Sequence, residues 1–159
     1  MQKADVAKRI IAMLIDCVLV FVLSLISFGF GFIPFLGRII GLVVTLCGIA
    51  YMASRDALPI KDLDGASIGK KLVGLKAVNR NGQNITWEQS AKRNLPFFLP
   101  SLIALVFSFI PVLNVVIAFG VGLLGLLIVI VELLKVVSDK DGLRIGDLFA
   151  ETRVIEVPK

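Results

Sequence analysis

The sequence contains no histidine among its 159 residues, and it has only two cysteines. Without histidine, the chain has no Ser-His or Cys-His nucleophilic pair and no imidazole ligand for a metal. Cys17 and Cys47 are too few for a four-cysteine zinc site or a multi-bridge disulfide scaffold. Paired catalytic carboxylates and glycine-rich phosphate or dinucleotide loops are also missing. We therefore expect no metal, no cofactor and no enzymatic activity.

Charged residues are also scarce: they make up 18% of the chain, whereas 57% of it is hydrophobic. Asp16 is the one charged residue between positions 10 and 37, and none occurs over 39–54 or 94–131. A membrane-spanning helix needs about 20 apolar residues, so the third run is long enough for two crossings. With breaks at Pro34 and Pro111, the sequence predicts an all-α membrane protein with four transmembrane helices, over 10–31, 35–54, 94–110 and 114–136.

The few basic residues lie almost entirely on one side of these predicted helices. All but one of the 17 lysines and arginines precede the first helix, lie between the second and third, or lie at or beyond the end of the fourth; the exception is Arg38. By the positive-inside rule, both termini and the central segment lie in the cytoplasm. We therefore assign the formal charge of +5 to contact with the lipid bilayer and its anionic headgroups, not to nucleic acid. The predicted location is the cytoplasmic membrane, with a multi-pass topology.

The second half of the chain also resembles the first half at one constant offset. The Phe-Ile-Pro sequence at 32–34 recurs at 109–111, and an Asp-x-Asp-Gly-x-x-Ile-Gly pattern at 62–69 recurs at 139–146. Two crossings per unit return the chain to the same side, so the repeats are predicted to be parallel. We expect one domain over 1–159, built of repeat 1 (about 1–78) and repeat 2 (about 79–159), each containing one helical hairpin.

Small residues recur at helical spacing in the second and fourth predicted helices. Such stripes let helix backbones approach closely in lipid, so they predict that these two helices meet near the axis between the repeats. The alternative is that glycine is simply frequent in membrane helices. The residues concerned are Gly37, Gly41, Thr45 and Gly48 in one helix and Ala118, Gly122 and Gly125 in the other.

Short amphipathic segments follow each predicted hairpin. A helix over 66–73 would place Ile68, Leu72 and Val73 on one face and direct Lys70 and Lys71 toward lipid headgroups. The alternation over 75–78 predicts a strand, and 144–149 and 152–157 repeat the helix and the strand. We expect a small cytoplasmic β element that joins the two repeats, with a return strand near 84–86.

Asp16 is the one carboxylate inside the first predicted helix. An intramembrane carboxylate is a functional-site candidate, here as an ion or proton ligand. Because Asp16 lies only about two turns into the helix, a structural ion pair with Arg9 or Arg93 is the alternative. Two further interfacial ion pairs are predicted, Glu132 with Lys135 and Arg55 with Asp56.

Four segments together carry the pattern of a known family. They are 9–16 with Arg9, Ala12 and Asp16, 65–78, 87–95 with Arg93, and 144–154 with Asp147. These segments resemble the RDD family of membrane proteins, named for one arginine and two aspartates. The resemblance covers nearly the whole chain, and its central block is similar to the family's GKxLxGLxVV pattern. The closing element departs from the family's closing pattern, since Gly146 stands where the family has histidine and Glu151 where it has glycine.

The resemblance implies transport of cations or another small solute. Arg9, Asp16, Arg93 and Asp147 would then form a charged network at the cytoplasmic mouth. Because four helices barely enclose a path, we expect a homodimer. The competing expectation is a membrane scaffold that does not transport, and that binds partner proteins or anionic lipids through its basic face.

Overall fold

A computed structural model describes residues 4–30, 33, 35–58, 60, 63, 65–107 and 111–157. It contains four long helices, two short helices and one pair of strands. In chain order the elements are α1 (Val6–Phe30), α2 (Leu36–Ser54), α3 (Ile68–Leu72), β1 (Leu75–Asn79), α4 (Trp87–Phe107), α5 (Pro111–Ser138), α6 (Ile145–Phe149) and β2 (Thr152–Glu156).

The four long helices lie where the apolar runs predict them, but α4 begins earlier than expected. Thr86 and Gln89 form a capping box, in which the Thr86 N–H donates to Gln89 Oε1 at 3.1 Å and the Gln89 N–H to Thr86 Oγ1 at 3.3 Å. This cap starts the helix well before the predicted boundary at position 94. Pro111 is the first residue of α5, a position that suits proline because its missing N–H would be unpaired there. The predicted break at Pro34 lies outside the described residues.

Three of the long helices are apolar over a length that can cross a membrane: Val6–Ile26 in α1, Leu36–Ser54 in α2 and Phe119–Ser138 in α5. Their mean hydropathy is 2.6, 1.9 and 2.5, respectively. The described part of α4 does not meet this criterion, because its first turns carry Glu88, Lys92 and Arg93. Three of the four predicted membrane-spanning helices are therefore supported.

The prediction that the second and fourth long helices pack together is wrong for the described residues. The extensive helix contacts are α2 with α4, α4 with α5 and α1 with α2, so α4 separates α2 from α5. A Cβ built on Gly122 or Gly125 of α5 meets nothing within 4 Å, and one on Gly48 of α2 approaches Val20 of α1 at 4.0 Å. Gly37 is buried, Thr45 donates to the Gly41 carbonyl, and the side chain of Ala118 lies outside the described part.

The bundle has an apolar exterior and a polar interior. Large hydrophobic side chains of α1, α2 and α5 are exposed along their length, whereas several aspartates, arginines, a lysine and a glutamate are buried. Soluble proteins bury hydrophobic residues and expose charges. The inverted distribution is what a lipid environment requires, because lipid surrounds the outside and charges must find partners inside.

The expected small sheet is present. β1 and β2 pair antiparallel, with Leu75 opposite Glu156 and Asn79 opposite Thr152, so the strand after the first hairpin joins the strand after the second. Among the described residues, the predicted return strand near 84–86 is reduced to one bridge between Val78 and Asn84. α6 follows α3 along the chain at the same interval at which β2 follows β1.

The orientation predicted for α3 is reversed. Lys70 is only 7% exposed, whereas Leu72 is 67% exposed. Gly69 sets this orientation, because its backbone lies directly against the Ala12 carbonyl of α1 and the next side chain then points into the bundle. Lys71 remains exposed, as expected. The lysine predicted to face lipid headgroups is therefore an interior residue.

Candidate functional site

A connected network of buried charges lies where α1, α2, α4 and α5 meet the two short helices. Each of its side chains is at most about a tenth exposed. Burying charge is costly unless each group is paired, so the pairing pattern decides what the site can do. The carboxylates are Asp16, Asp56, Glu132 and Asp147, and the bases are Arg9, Arg55, Lys70, Arg93 and Arg144.

Asp16 is paired with Arg55, so the expected pairing with Arg9 or Arg93 is wrong. Arg55 Nη1 lies 3.2 Å from Asp16 Oδ2, while the Tyr51 hydroxyl and the Gly69 N–H donate to Oδ1 at 3.0 and 2.9 Å. The carboxylate is 1% exposed. Asp16 thus ties α1 to the end of α2 and to the beginning of α3.

Asn94 links Asp16 and Arg55 to the rest of the network. Its amide oxygen accepts from Arg55 Nε and Nη2 at 3.2 and 2.9 Å, and its amide nitrogen donates to Asp56 Oδ2 at 3.0 Å. Asp56 also faces Lys70 and, at 3.4 Å, Arg93 Nε. The predicted pair of Arg55 with Asp56 is therefore wrong, because each residue pairs with a different helix.

Three arginines surround Asp147. The distances to its carboxylate are 2.6 Å from Arg9 Nη2, 2.8 Å from Arg93 Nη2 and 3.3 Å from Arg144 Nη2. Arg93 makes its contacts as ion pairs, without a hydrogen bond of good geometry to any described residue. Asp147 is therefore the point where α1, α4 and α6 are held together by charge.

Glu132 holds the beginning of α6. Its carboxylate accepts the backbone N–H groups of Ile145 and Gly146 at 2.9 and 3.2 Å. The predicted pair of Glu132 with Lys135 is wrong, since Lys135 instead contacts Asp139 at 3.0 Å. Glu132 and Asp16 thus each satisfy backbone donors at the start of a short helix.

The pKa values outside the spanning helices follow from these contacts. Burial by itself raises the pKa of Asp56, but the charges of Lys70, Arg93 and Arg55 hold it well below its usual range. Burial also opposes ionisation of Asp147, and Arg93, Arg144 and Arg9 reverse that effect to give a lowered pKa. Both carboxylates are therefore ionised at neutral pH.

Besides a cavity of about 360 Å³ that Asp147 lines on its β2 side, two cavities lie at or near the network. The first has a volume of about 40 Å³ and lies between α1 and α5, lined by Asp16, Lys70, Glu132 and three of the arginines. The second has a volume of about 400 Å³ and lies between α1, α2 and α4, where it is lined by Ser24, Thr45 and Ser101 among apolar residues.

Phe97 stands between the second cavity and the network. Its ring lines that cavity and lies 5.6 Å from the Arg55 guanidinium and 5.3 Å from that of Arg144. These are cation–π distances. The ring therefore covers the charged groups on the side that faces the apolar part of the bundle.

All four residues predicted as a charged network belong to this cluster. Arg9, Arg93 and Asp147 are in direct contact, and Asp16 joins them through Arg55, Asn94 and Asp56. The prediction missed several members, although most of them flank or end an apolar run on the basic side, and that position was the available signal. The missed members are Arg55, Asp56, Lys70, Asn94, Glu132 and Arg144. No three of the described cysteine, aspartate and glutamate residues are grouped to hold a metal.

A family model described as the RDD family matches residues 3–151. It covers all of the network and nearly all of the described elements. No curated protein and no solved structure matches the chain.

Proposed function

The chain belongs to the RDD family, and we propose that this integral membrane protein transports a cation or another small solute across the cytoplasmic membrane. The observation that carries the proposal is the hydroxyl-lined cavity between α1, α2 and α4, beside the buried charge network. Polar groups in membrane helices face a pathway or another helix when they have a function. The network would form the cytoplasmic end of that pathway.

The proposed topology has four spans with both termini in the cytoplasm. The fourth span rests on the sequence, in which the stretch without charged residues that begins at Asn94 reaches Pro111. The polar beginning of α4 then lies at the cytoplasmic surface beside the ends of α2 and α5. The placement of the basic residues supports this orientation.

We also propose that the two halves are parallel repeats. The matching intervals between the short helices and between the strands support this, as does the way each short helix packs through a glycine on the backbone of a long helix. The charges are not repeated: when the two halves are aligned, Arg93 stands opposite Asp16, and Glu132 stands opposite Arg55. The two repeats would thus share one backbone arrangement, while the charge network between them is not symmetric.

The second cavity suits a small polar or cationic solute. Ser24 and Thr45 donate their hydroxyl protons to the Val20 and Gly41 carbonyls of their own helices, at 2.9 and 2.8 Å. Their oxygen lone pairs are therefore left to accept from, or coordinate, a solute. Ser24 lies about 12 Å of helix rise beyond Asp16, which places the cavity deeper in the membrane than the network.

A homodimer would close this path laterally. The glycines Gly122 and Gly125 of α5 are open, since a Cβ built on either meets nothing within 4 Å. Small residues at this spacing allow close helix contacts in lipid. They mark the face of α5 that we propose for the contact between two copies.

Flux in proteoliposomes tests the proposal. With a panel of monovalent cations and an imposed pH gradient, we expect Asp16→Asn to reduce the initial flux about tenfold or more. A tenfold reduction in flux corresponds to a loss of about 1.4 kcal/mol in the interaction between Arg55 and residue 16. The asparagine keeps an acceptor for Tyr51 and Gly69, so folding is expected to persist.

Asp141→Asn is the matched control, since Asp141 is an exposed carboxylate outside the network, and it should leave flux unchanged. Flux that is equal in Asp16→Asn and wild type would remove Asp16 from the mechanism. No flux for any ion with a folded wild-type protein would contradict the transport proposal itself.

One observation favours a second function, a scaffold that binds anionic lipid. The exposed faces of α3 and α6 are apolar, with Leu72 and Phe149 among the most exposed side chains, and Lys71 lies beside them. Short helices of this kind lie in the membrane interface and attract anionic headgroups. Binding to anionic vesicles without any solute flux would favour this function over transport.

A further inference from the structure

We propose that the Lys70 ammonium is the proton-binding site of the buried network, releasing one proton while the arginines and carboxylates around it keep their charges. The proposal deepens the proposed transport function, because it names the residue through which protons would be coupled to it. The proton-binding property itself does not depend on transport.

The charge balance of the network provides the first argument. Among the described residues, five buried bases face four buried carboxylates, which leaves one uncompensated positive charge within this set if every group is ionised. An unpaired charge away from water is costly, and the usual response is loss or gain of a proton. Among the bases only Lys70 can respond in this way, because a guanidinium does not deprotonate in proteins.

The contacts of Lys70 provide the second argument. Within the described part of the chain, the acceptor of its ammonium is Asp56 Oδ1, whereas Asp56 is also held by Arg93 and Asn94. When the ammonium becomes a neutral amine, Asp56 therefore keeps a positive partner and a hydrogen-bond donor. The proton is lost without leaving a buried carboxylate unpaired.

The surroundings of Lys70 also favour the loss of its proton. Burial lowers the pKa of Lys70 to about 7, with Asp56 opposing the shift and Arg93, Arg55 and Arg144 adding to it. In the described part of the chain, the other charged groups do not remove the surplus positive charge, because all four buried carboxylates are already included in the count. The other charged groups on the elements around Lys70 are Asp16 and Arg9 of α1, Glu132 of α5, Asp147 of α6 and Lys76 of β1.

A small cavity beside the ammonium can hold the water that receives the proton. Lys70 lines the cavity of about 40 Å³ between α1 and α5, together with Asp16 and Glu132. That volume holds at least one water molecule, and the lining offers the polar partners that a buried water needs. The step is Lys–NH₃⁺ giving one proton to water and retaining its nitrogen lone pair, so no other reactant is required.

The test is a direct titration of the lysines. The full chain, labelled with ¹³C at lysine Cε and reconstituted in lipid nanodiscs, is followed by NMR from pH 5 to 11. We expect one lysine signal to titrate with a midpoint near 7, about three pH units below an ordinary lysine. Lys70→Arg should remove that signal, whereas Lys71→Arg, which changes the exposed neighbour in α3, should retain it.

If Lys70→Arg does not fold, Lys70→Met assigns the signal in the same way. The inference is overturned if every lysine titrates above pH 9, or if the low signal persists in both Lys70 variants. A midpoint near 7 in a protein that shows no flux would support the proton site and contradict transport. Flux whose dependence on pH between 6 and 8 is the same in Lys70→Arg and wild type would contradict the coupling role of Lys70.

Discussion

Asp147→Asn is expected to lower the free energy of unfolding by about 3–5 kcal/mol, the cost of removing one partner from a buried ion pair. The asparagine keeps the size of the side chain but removes the negative charge that Arg9, Arg93 and Arg144 share. Three guanidinium groups would then lie close together, away from water. The loss is larger than that of an ordinary salt bridge because all three remain buried.

The measurement is an SDS or urea titration in detergent, followed by circular dichroism and by the fluorescence of Trp87, the one tryptophan of the chain. Glu151→Gln is the matched control, because Glu151 pairs with Arg80 on the exposed surface at 3.3 Å. An exposed pair is worth about 0–1 kcal/mol, so this variant should unfold nearly as wild type does. Equal effects of the two variants would contradict the central position of Asp147.

Adding Arg9→Gln to Asp147→Asn provides a further check. Removing one of the three like charges should restore part of the lost stability, and the double variant should therefore be less destabilised than the two single effects added together. The pH dependence has a defined sign. Because folding lowers the pKa of Asp147, its contribution is present above about pH 4 and decreases as the pH falls below that.

The sequence allowed the members of this cluster to be found more readily than their pairings. Arg9, Asp16, Arg93 and Asp147 stand out because they flank or interrupt apolar runs or belong to a family motif. The partner of Asp16 could not be derived in the same way. Arg9 and Asp16 lie on the same face of α1, but they do not pair with each other. Arg9 pairs with Asp147 of α6, and Asp16 pairs with Arg55 at the end of α2. Such pairings depend on the order of helices in the bundle, which periodicity within one helix does not encode.

The orientation of the Lys70 side chain also could not be derived from the local sequence. An amphipathic interpretation of α3 assumes that lysines face outward and leucines inward, as in water. In this protein Leu72 is outside and Lys70 inside, because the outer surface is apolar and the interior holds Asp56. The positions of the two short helices and of the two paired strands followed from local patterns and are confirmed. The direction in which a five-residue helix faces is decided by tertiary contacts, here the close approach of Gly69 to Ala12.

Gly146→Ala is expected to destabilise the protein by about 3 kcal/mol or more, the upper end of the cost of overpacking. A Cβ at this position collides with the Arg93 carbonyl of α4, and a backbone atom in a helix cannot move aside as a flexible side chain can. α6 would have to shift away from α4. Its displacement would also weaken the hydrogen bonds from its first N–H groups to Glu132 and the contacts of Asp147 with the arginines.

Gly120→Ala is the matched control, because a Cβ there meets nothing within 4 Å. Alanine is the better helix former by up to about 1 kcal/mol, so this variant should be as stable as wild type or slightly more stable. Thermal unfolding of both variants in the same detergent compares them directly. A tolerated Gly146→Ala would show that α6 does not rest on the α4 backbone. The same contact requires glycine at position 146, since a large side chain there cannot be placed without separating α6 from Arg93.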